Sequence, residues 1–292
     1  MRGLVLAGGG SHGTYEVGVL KRWILEEGRD YEILCGISVG ALNTAILSQF
    51  KLGLSAQAYS KLSDVWDRVS TSKVRKWWFG WYLASLWKSS IYNSGPLEAW
   101  VRQELDEEAI RLSGKQLRIG AVSWESGRYK VVDQTSSHLP EWVLASASFP
   151  VFFKPIMIDG EEWADGGLRN IAPLGEAIRA GATEIDVVLT GPGEAGKWPT
   201  RSKKVAARAC RALEIVMSEI LEGDLKEAGL KNDLAKLSGK YKDVSIRVCR
   251  PSQPIEVDSL TFDPEAISHM RELGYKNAYD QSDEQILMYP TT

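Results

Sequence analysis

Short apolar runs alternate with helically spaced apolar positions along the first fifty residues. Residues 3–7 and 31–35 are apolar runs of strand length, and the first is bounded by glycines. Residues 14–27 and 41–50 carry apolar side chains at helical spacing, and Thr14 is a candidate cap for the first of these helices. This order of strand, helix, strand and helix predicts a parallel sheet with right-handed crossovers.

The rest of the chain continues as a mixture of strands and helices. The predicted strands are 117–123, 129–133, 156–158, 162–164, 184–189 and 244–249, with turns at Glu125-Ser126-Gly127 and Asp159-Gly160. The predicted helices are 55–69, one opened by Ser94 and Pro96, 141–148, 173–180, 205–221, 225–237 and one opened by Asp263-Pro264-Glu265. We therefore expect one α/β domain over residues 1–292, with a parallel-rich central sheet flanked by helices.

Charge and cysteine content exclude several classes of protein. The net charge is −3, which gives no global field for nucleic acid. Cys35, Cys210 and Cys249 are odd in number and lack C-x-x-C spacing, so we expect neither a disulfide framework nor a zinc site. The first apolar run is too short for a secretory signal, and no apolar stretch is long enough to span a membrane. These features predict a cytoplasmic protein.

The first predicted strand ends in a glycine-rich loop, Gly8-Gly9-Gly10-Ser11-His12-Gly13. It matches the dinucleotide fingerprint G-x-G-x-x-G, but that fingerprint also needs an acid at the end of the second strand, which this chain lacks. Two other interpretations fit the loop better: a tight turn without a ligand, and a loop whose N–H groups hold a developing oxyanion.

The second predicted strand ends in Gly36-Ile37-Ser38-Val39-Gly40, which matches G-x-S-x-G between a strand and a helix. This context places the serine on a sharp turn with its hydroxyl exposed. An ordinary helix N-cap is the alternative role for Ser38. Only two strands precede Ser38, and the three histidines (His12, His138 and His269) are isolated, so a histidine triad has little support.

Three ordered blocks of sequence resemble the patatin-like phospholipase family. They are Gly8–Tyr15 with Gly18-Val19-Leu20; Gly36–Asn43; and Ala145–Pro150, Pro155, Asp165-Gly166-Gly167, Asn170 and Pro173. The resemblance covers roughly residues 1–190, and 262–278 is similar to the family's closing helix. The chain departs from the family at His12, where arginine or lysine is common, so we expect a pH-dependent charge beside the loop.

The resemblance implies a three-layer sandwich and a Ser–Asp dyad, with Ser38 as nucleophile and Asp165 as its base. It also implies an oxyanion hole from Gly8, Gly9, Gly10 and Gly13, turns supported by Gly36, Gly40, Gly166 and Gly167, and no required metal or cofactor. Burial would have to raise the pKa of Asp165 toward neutrality. Without the resemblance, Asp165-Gly166-Gly167 would be interpreted as a turn.

A Trp-rich basic insertion at about residues 68–97 contains no acidic residue. Tryptophan with lysine is typical of a membrane interface, and the candidate contacts are Trp77, Trp78, Trp81, Trp87, Lys76 and Lys88. Alternatives are core packing, an oligomer interface and, more weakly, single-stranded nucleic acid.

The expected function is hydrolysis of phospholipids or other acyl esters, of phospholipase A or lysophospholipase type, at a membrane surface and without a nucleic-acid partner. The alternatives are an acyltransferase on the same dyad and a catalytically silent lipid- or nucleotide-binding module.

Overall fold

The computed structural model describes residues 1–74, 76–77, 90–191, 244–255, 257 and 259–280, together with the single positions 208, 215, 219 and 223. The predicted helices 205–221 and 225–237 therefore lie outside the described residues, apart from those single positions.

The described strands form one large sheet and one small hairpin. They are β1 (Arg2–Leu6), β2 (Ile33–Gly36), β3 (Lys76–Trp77), β4 (Tyr92–Asn93), β5 (Gln116–Ser123), β6 (Tyr129–Asp133), β7 (Ile156–Ile158), β8 (Glu161–Asp165), β9 (Glu184–Val188) and β10 (Ser245–Cys249). The large sheet has the order β10–β9–β1–β2–β5–β8–β7, with β6 also paired to β5, while β3 pairs with β4. Within this sheet, β10, β9, β1, β2 and β5 pair with their neighbours in parallel. The pairs β5–β6, β5–β8 and β7–β8 are antiparallel. The predicted α/β fold with a parallel-rich sheet is confirmed.

Helices connect and cover these strands. They are α1 (Gly13–Leu20), continued by a π-helical segment (Lys21–Glu26), α2 (Val39–Leu47), α3 (Ser55–Asp67), α4 (Thr71–Val74), α5 (Gly95–Glu104), α6 (Glu107–Leu112), α7 (Leu139–Ser146), α8 (Leu174–Arg179) and α9 (Pro264–Asp280). Short 3-10 turns lie at Gly10–His12 and Gly166–Leu168.

Both faces of the sheet are buried, which makes the fold three-layered. In β1, Leu4 and Leu6 pack into the larger hydrophobic cluster, which includes residues of α1, α2, α3, α5, α7 and α9. Val5, together with Ala7 just beyond the strand, packs into a second cluster with residues of α8, β9 and β10. Side chains alternate between the faces of a strand, so each face of β1 is covered by its own layer.

The last helix packs closely on the first. A Cβ at Gly18 of α1 would lie 1.9 Å from the carbonyl oxygen of Arg271, and one at Gly274 of α9 would lie 2.1 Å from that of Tyr15. Two glycines thus let the helix backbones touch. Strand β9 also pairs along the whole of β1. The two elements on either side of the glycine loop, β1 and α1, are therefore held in place by β9 and α9, which are distant in sequence.

Local capping differs from the sequence prediction at three places. The Ser94 side chain does not cap α5, since its hydroxyl donates to Oε1 of Glu98 at 2.7 Å. Thr14 does not cap α1, since its hydroxyl donates to the carbonyl of Ile267 at 3.4 Å. Helix α6 was not predicted, although Asp106 caps it by accepting from the N–H groups of Glu108 and Ala109 at 3.0 Å each. Six residues are too few for a helical period to stand out in the sequence.

Candidate active site

Ser38 lies on a strained turn between β2 and α2. Its φ is 55° and its ψ is −124°, a region that costs a non-glycine residue on the order of 1–3 kcal/mol. Both flanking glycines are required by close backbone approach. A Cβ at Gly36 would lie 2.2 Å from the carbonyl oxygen of Gly40, and one at Gly40 would lie 2.3 Å from that of Leu6. The turn therefore tolerates no side chain at either position, as the G-x-S-x-G motif predicts.

The backbone of this turn is anchored by a serine on another helix. The N–H of Ser38 donates to Oγ of Ser146 in α7 at 2.9 Å, and Ser146 is fully buried. Ser146 belongs to the third sequence block, but the pattern gave it no role. A hydroxyl that accepts from a backbone N–H across 108 positions of sequence is visible only in the folded chain.

Asp165 reaches Ser38 because β2 and β8 share one edge of β5. Strand β6 occupies the other edge of β5 along both pairings. Ile119 of β5 pairs with Gly36, the last residue of β2, and Ala121 pairs with Asp165, the last residue of β8. Since β8 runs antiparallel to β5, the two strands end facing each other, and Ser38 follows two residues after Gly36.

The Asp165 carboxyl group is buried, with 1% of the residue exposed. Oδ1 accepts from the N–H of Gly167 at 2.8 Å, and Oδ2 has no hydrogen-bond partner among the described residues. The Ser38 hydroxyl is near enough to the carboxyl group to lower the pKa of Asp165, although no hydrogen bond forms at Oδ2. Long or bent contacts of this kind are common in enzymes without bound substrate.

The environment of Asp165 makes it a better base than an ordinary carboxylate. Burial raises the pKa of Asp165 to about 7, against opposing contributions from the Gly167 N–H and the Ser38 hydroxyl. Because burial penalises the charged form, the group titrates near neutral pH. No histidine is among the groups that shift it. His138 and His269 are both exposed, so neither takes part in this buried pair.

The Asp165 turn also depends on a close backbone approach. Gly166 faces strand β5, where a Cβ on it would lie 2.4 Å from the carbonyl oxygen of Gly120. Gly167 supplies the N–H that binds Oδ1 of Asp165. The turn predicted at Asp165-Gly166-Gly167 is thus present, and it is buried against the central sheet instead of being a surface feature.

The four glycines of the first loop differ in their available N–H groups. The N–H of Gly8 donates to the Ile171 carbonyl at 3.1 Å, and that of Gly13 donates to the carbonyls of Gly10 and Ser11. Among the described residues, the N–H groups of Gly9 and Gly10 have no hydrogen-bond partner. Of the four glycines predicted to donate to an oxyanion, Gly9 and Gly10 remain candidates. The N–H groups of Gly8 and Gly13 already donate to backbone carbonyls.

The glycine loop lies directly against the Ser38 turn. A Cβ at Gly8 would be 3.2 Å from Cβ of Ser38. Gly10 has a φ of 58°, and a Cβ there would meet the Ser259 carbonyl oxygen at 2.2 Å. Thr190 Oγ1 donates to the Gly8 carbonyl at 2.5 Å. Glycine is needed here both for the left-handed backbone and for the close contacts.

The chain after β10 covers the outer side of this loop. The N–H of Ser11 donates to the Ser259 carbonyl at 2.7 Å. Nε2 of His12 lies 2.7 Å from the carbonyl oxygen of Val257 and donates to it, since a carbonyl only accepts. No local sequence signal indicates this contact, which joins positions 245 residues apart.

The membrane contacts predicted from the sequence fall largely outside the described residues. Lys76 and Trp77 form strand β3, paired with Asn93 and Tyr92 of β4. Trp78, Trp81, Trp87 and Lys88 lie outside the described residues. Within the described part of the chain, no group of acidic, histidine or cysteine side chains is arranged to hold a metal ion, and no helix has the length and apolar character to cross a membrane.

Comparison with known protein sequences gives one family and two distant relatives. The family model described as "Patatin-like phospholipase" matches residues 4–178. The chain is 25% identical over 265 residues to the uncharacterized protein YjjU of Escherichia coli (strain K12), covering 88% of this chain and 71% of YjjU. It is 26% identical over 207 residues to lysophospholipase NTE1 of Debaryomyces hansenii, covering 65% of this chain and 12% of that protein.

Two solved structures are similar over most of the chain. VipD from Legionella pneumophila matches with a TM-score of 0.46 and 14% identity, over 97% of this chain and 66% of VipD. The type III effector protein ExoU matches with a TM-score of 0.40 and 15% identity, over 97% of this chain and 54% of ExoU. The chain thus spans between half and two thirds of these two structures and about one eighth of NTE1.

Proposed function

The chain belongs to the patatin-like phospholipase family, whose members are lipid hydrolases, and from that premise we propose that it hydrolyses acyl ester bonds of phospholipids or lysophospholipids with Ser38 as nucleophile and Asp165 as base. The observation that carries the proposal is the meeting of a serine on a strained, glycine-flanked turn with a buried carboxyl group whose pKa is raised to about 7. A serine acting only as a helix cap needs no such partner.

In the proposed first step, Ser38 Oγ attacks the ester carbonyl carbon. Its proton passes to Oδ2 of Asp165, the oxygen without a partner in the described structure. The tetrahedral intermediate then collapses, the bond to the leaving alcohol breaks, and that alcohol takes the proton from Asp165. The acyl group remains on Ser38 as an ester.

In the second step, water repeats the same sequence on the acyl-serine. Asp165 accepts a proton from the attacking water, a second tetrahedral intermediate forms, and its collapse returns the proton to Ser38 and releases the fatty acid. A carboxyl group that titrates near the working pH suits both directions, because it accepts and gives back a proton without a large free-energy penalty.

We propose that the N–H groups of Gly9 and Gly10 donate hydrogen bonds to the negatively charged oxygen of each intermediate and so stabilise it. Both are unpaired among the described residues and belong to a loop whose first glycine touches Ser38. Losing one such donor typically costs on the order of 3 kcal/mol of transition-state stabilisation. Gly8 and Gly13 contribute by shaping the loop.

Action at a lipid surface is part of the proposal. Its support comes from sequence, namely the tryptophans and lysines without acids in residues 68–97. Tryptophan rings are stable at the boundary between lipid and water, and each lysine near an anionic surface adds about 1 kcal/mol. In this scheme the insertion docks on the membrane while the dyad acts on a lipid acyl chain.

The direct test is covalent labelling of Ser38 by a fluorophosphonate, located by peptide mass spectrometry, together with assay of phospholipid and lysophospholipid hydrolysis. We expect labelling and turnover in the wild type, neither in Ser38→Ala, and both in Ser137→Ala, which alters an exposed serine. Lipid binding without turnover in the wild type would instead support a silent binding module. Acyl transfer to an added alcohol in preference to water would identify an acyltransferase.

A further inference from the structure

A buried hydrogen-bond network joins the glycine loop to the helix that carries Ser38. Nδ2 of Asn43, in α2, donates to Oε2 of Glu16 at 2.7 Å and to the Gly13 carbonyl at 3.1 Å. Nε1 of Trp66, in α3, donates to Oδ1 of Asn43 at 2.8 Å. Glu16 and Asn43 are fully buried. A single amide thereby connects α1, α2 and α3, and both ends of that amide are used.

Glu16 is an unusual residue to bury in this network. Its Oε1 has no hydrogen-bond partner in the described part of the chain. Burial raises the pKa of Glu16 well above its ordinary value, against smaller opposing contributions from Asn43 and the Ala7 backbone. A neutral acid still accepts from Asn43 and avoids the cost of an unpaired buried charge.

The network lies where the first turns of α1 and α2 touch. A Cβ at Gly13 would lie 2.3 Å from a methyl carbon of Val39 and 3.0 Å from the Trp66 ring. Val39 follows Ser38 directly, and Gly13 closes the glycine loop. The bonds of Asn43 therefore hold the beginning of α1 against the beginning of α2.

We propose that Asn43 and Glu16 are positioning residues that fix the separation between the N–H groups of Gly9 and Gly10 and the hydroxyl of Ser38. Neither side chain is placed against substrate; each acts through the two helices it joins. The inference rests on the proposed function, because it concerns stabilisation of the oxyanion. Since an oxyanion donor must be aimed where charge develops, a shift of about 1 Å can reduce the rate by about 10²-fold.

A second buried network supplies a matched control. Asp186 in β9 is fully buried and accepts from Tyr31 Oη and Arg247 Nε at 2.8 Å each. Tyr31 precedes β2, whereas Ser38 follows it, so this network lies toward the opposite end of the strands. Breaking the Asp186 network therefore measures the effect of losing a buried polar network on stability, away from the Ser38 turn.

The test compares Asn43→Leu, Trp66→Phe, Glu16→Leu with its conservative partner Glu16→Gln, and the control Asp186→Asn. For each, kcat and KM are measured on a water-soluble acyl ester well below the unfolding midpoint, which is determined for the same sample. We expect Asn43→Leu to lower kcat by about 10²-fold with KM changed less than about twofold. Trp66→Phe removes one donor and keeps most of the ring volume, so it should lower kcat by about fivefold while remaining folded.

Two further outcomes separate positioning from stability. Glu16→Leu removes the acceptor for Asn43 and should lower kcat with KM changed less than about twofold. Glu16→Gln restores a neutral acceptor, so it should recover most of that loss with an unchanged pH profile. Asp186→Asn should lower the unfolding midpoint and leave kcat unchanged. Folded Asn43→Leu or Trp66→Phe with wild-type kcat would overturn the positioning role and leave the proposed function intact. A wild-type protein that neither turns over ester nor labels at Ser38 would remove both.

Discussion

Gly36 and Asp165 pair with residues two positions apart on the same edge of strand β5. One strand therefore aligns the end of β2, which leads to Ser38, with the end of β8, which carries the carboxyl group. The two proposed catalytic residues are separated by 127 positions of sequence, yet a ladder of backbone hydrogen bonds sets their distance. Such a ladder is stiff, which suits a pair that must transfer a proton directly.

The pH dependence of hydrolysis should follow Asp165. The group must be ionised to accept the Ser38 proton, and its pKa is about 7. We expect kcat/KM on a neutral, soluble ester to rise with pH and to reach half its maximum near pH 7, as the free-enzyme base requires. Initial rates from about pH 5 to about pH 9 measure this. A profile that is already flat near pH 5 would contradict a base whose pKa is raised to about 7.

Replacement of Asp165 by asparagine should stabilise the folded protein at alkaline pH. A carboxyl pKa raised by folding means that the folded state holds its proton more tightly than the unfolded state. The resulting stability is present below the unfolded pKa, near 4, and is lost as pH rises through about 7. A pKa raised from 3.8 to about 7 corresponds to at most about 4 kcal/mol of stability.

The measurement is urea unfolding of wild type and Asp165→Asn at acid and alkaline pH. We expect the variant to be the more stable protein at pH 8 and the difference to shrink toward pH 4. Equal stability of the two proteins at pH 8 would contradict a buried, ionised Asp165. Inactivity of the variant on esters in the same samples would separate the loss of the base from any loss of folding.

Gly40→Ala should destabilise the protein more than the same change at Gly28. A Cβ at Gly40 would press on the backbone of β1, 2.3 Å from the Leu6 carbonyl oxygen, and such overpacking costs about 3 kcal/mol. Gly28 has a φ of 66° but open space around its Cα, so alanine there costs about 1–2 kcal/mol of backbone strain. Denaturant unfolding of both variants measures the difference. Equal decreases in the free energy of unfolding would show that the Ser38 turn accommodates a Cβ at Gly40 by a small backbone shift.

Binding to anionic vesicles should weaken when the basic insertion loses charge. Replacing Lys76 and Lys88 by glutamine removes about 2 kcal/mol of attraction, or about 30-fold in affinity for vesicles containing phosphatidylserine. Co-sedimentation measures this, and added salt should weaken wild-type binding in the same way. The control Lys51→Gln changes an exposed lysine outside the insertion and should bind as wild type does. Unchanged binding of the double variant would exclude the insertion as the docking surface.

Much of the fold was predictable because its signals are local. The strands β6 and β7 have the predicted bounds, and the turn at Asp159-Gly160 takes left-handed backbone at both residues, with φ of 51° and 84°. The glycines on either side of Ser38 also predicted the sharp turn. Helix α6 escaped prediction because it is only six residues long, and periodicity needs more than one or two turns to be visible.

The sequence by itself determined the elements and the chemistry available to them: a strand–turn–helix with glycines on both sides of Ser38, a glycine loop, and a carboxyl group before two glycines. These follow from steric limits on single residues and their neighbours. Only the tertiary structure decided which N–H groups of the loop stay unpaired, how deeply Asp165 is buried, and that Ser146, Asn43 and Glu16 lie behind the site. Those properties depend on packing between distant segments, and burial alone turns an ordinary carboxyl group into one that titrates near pH 7.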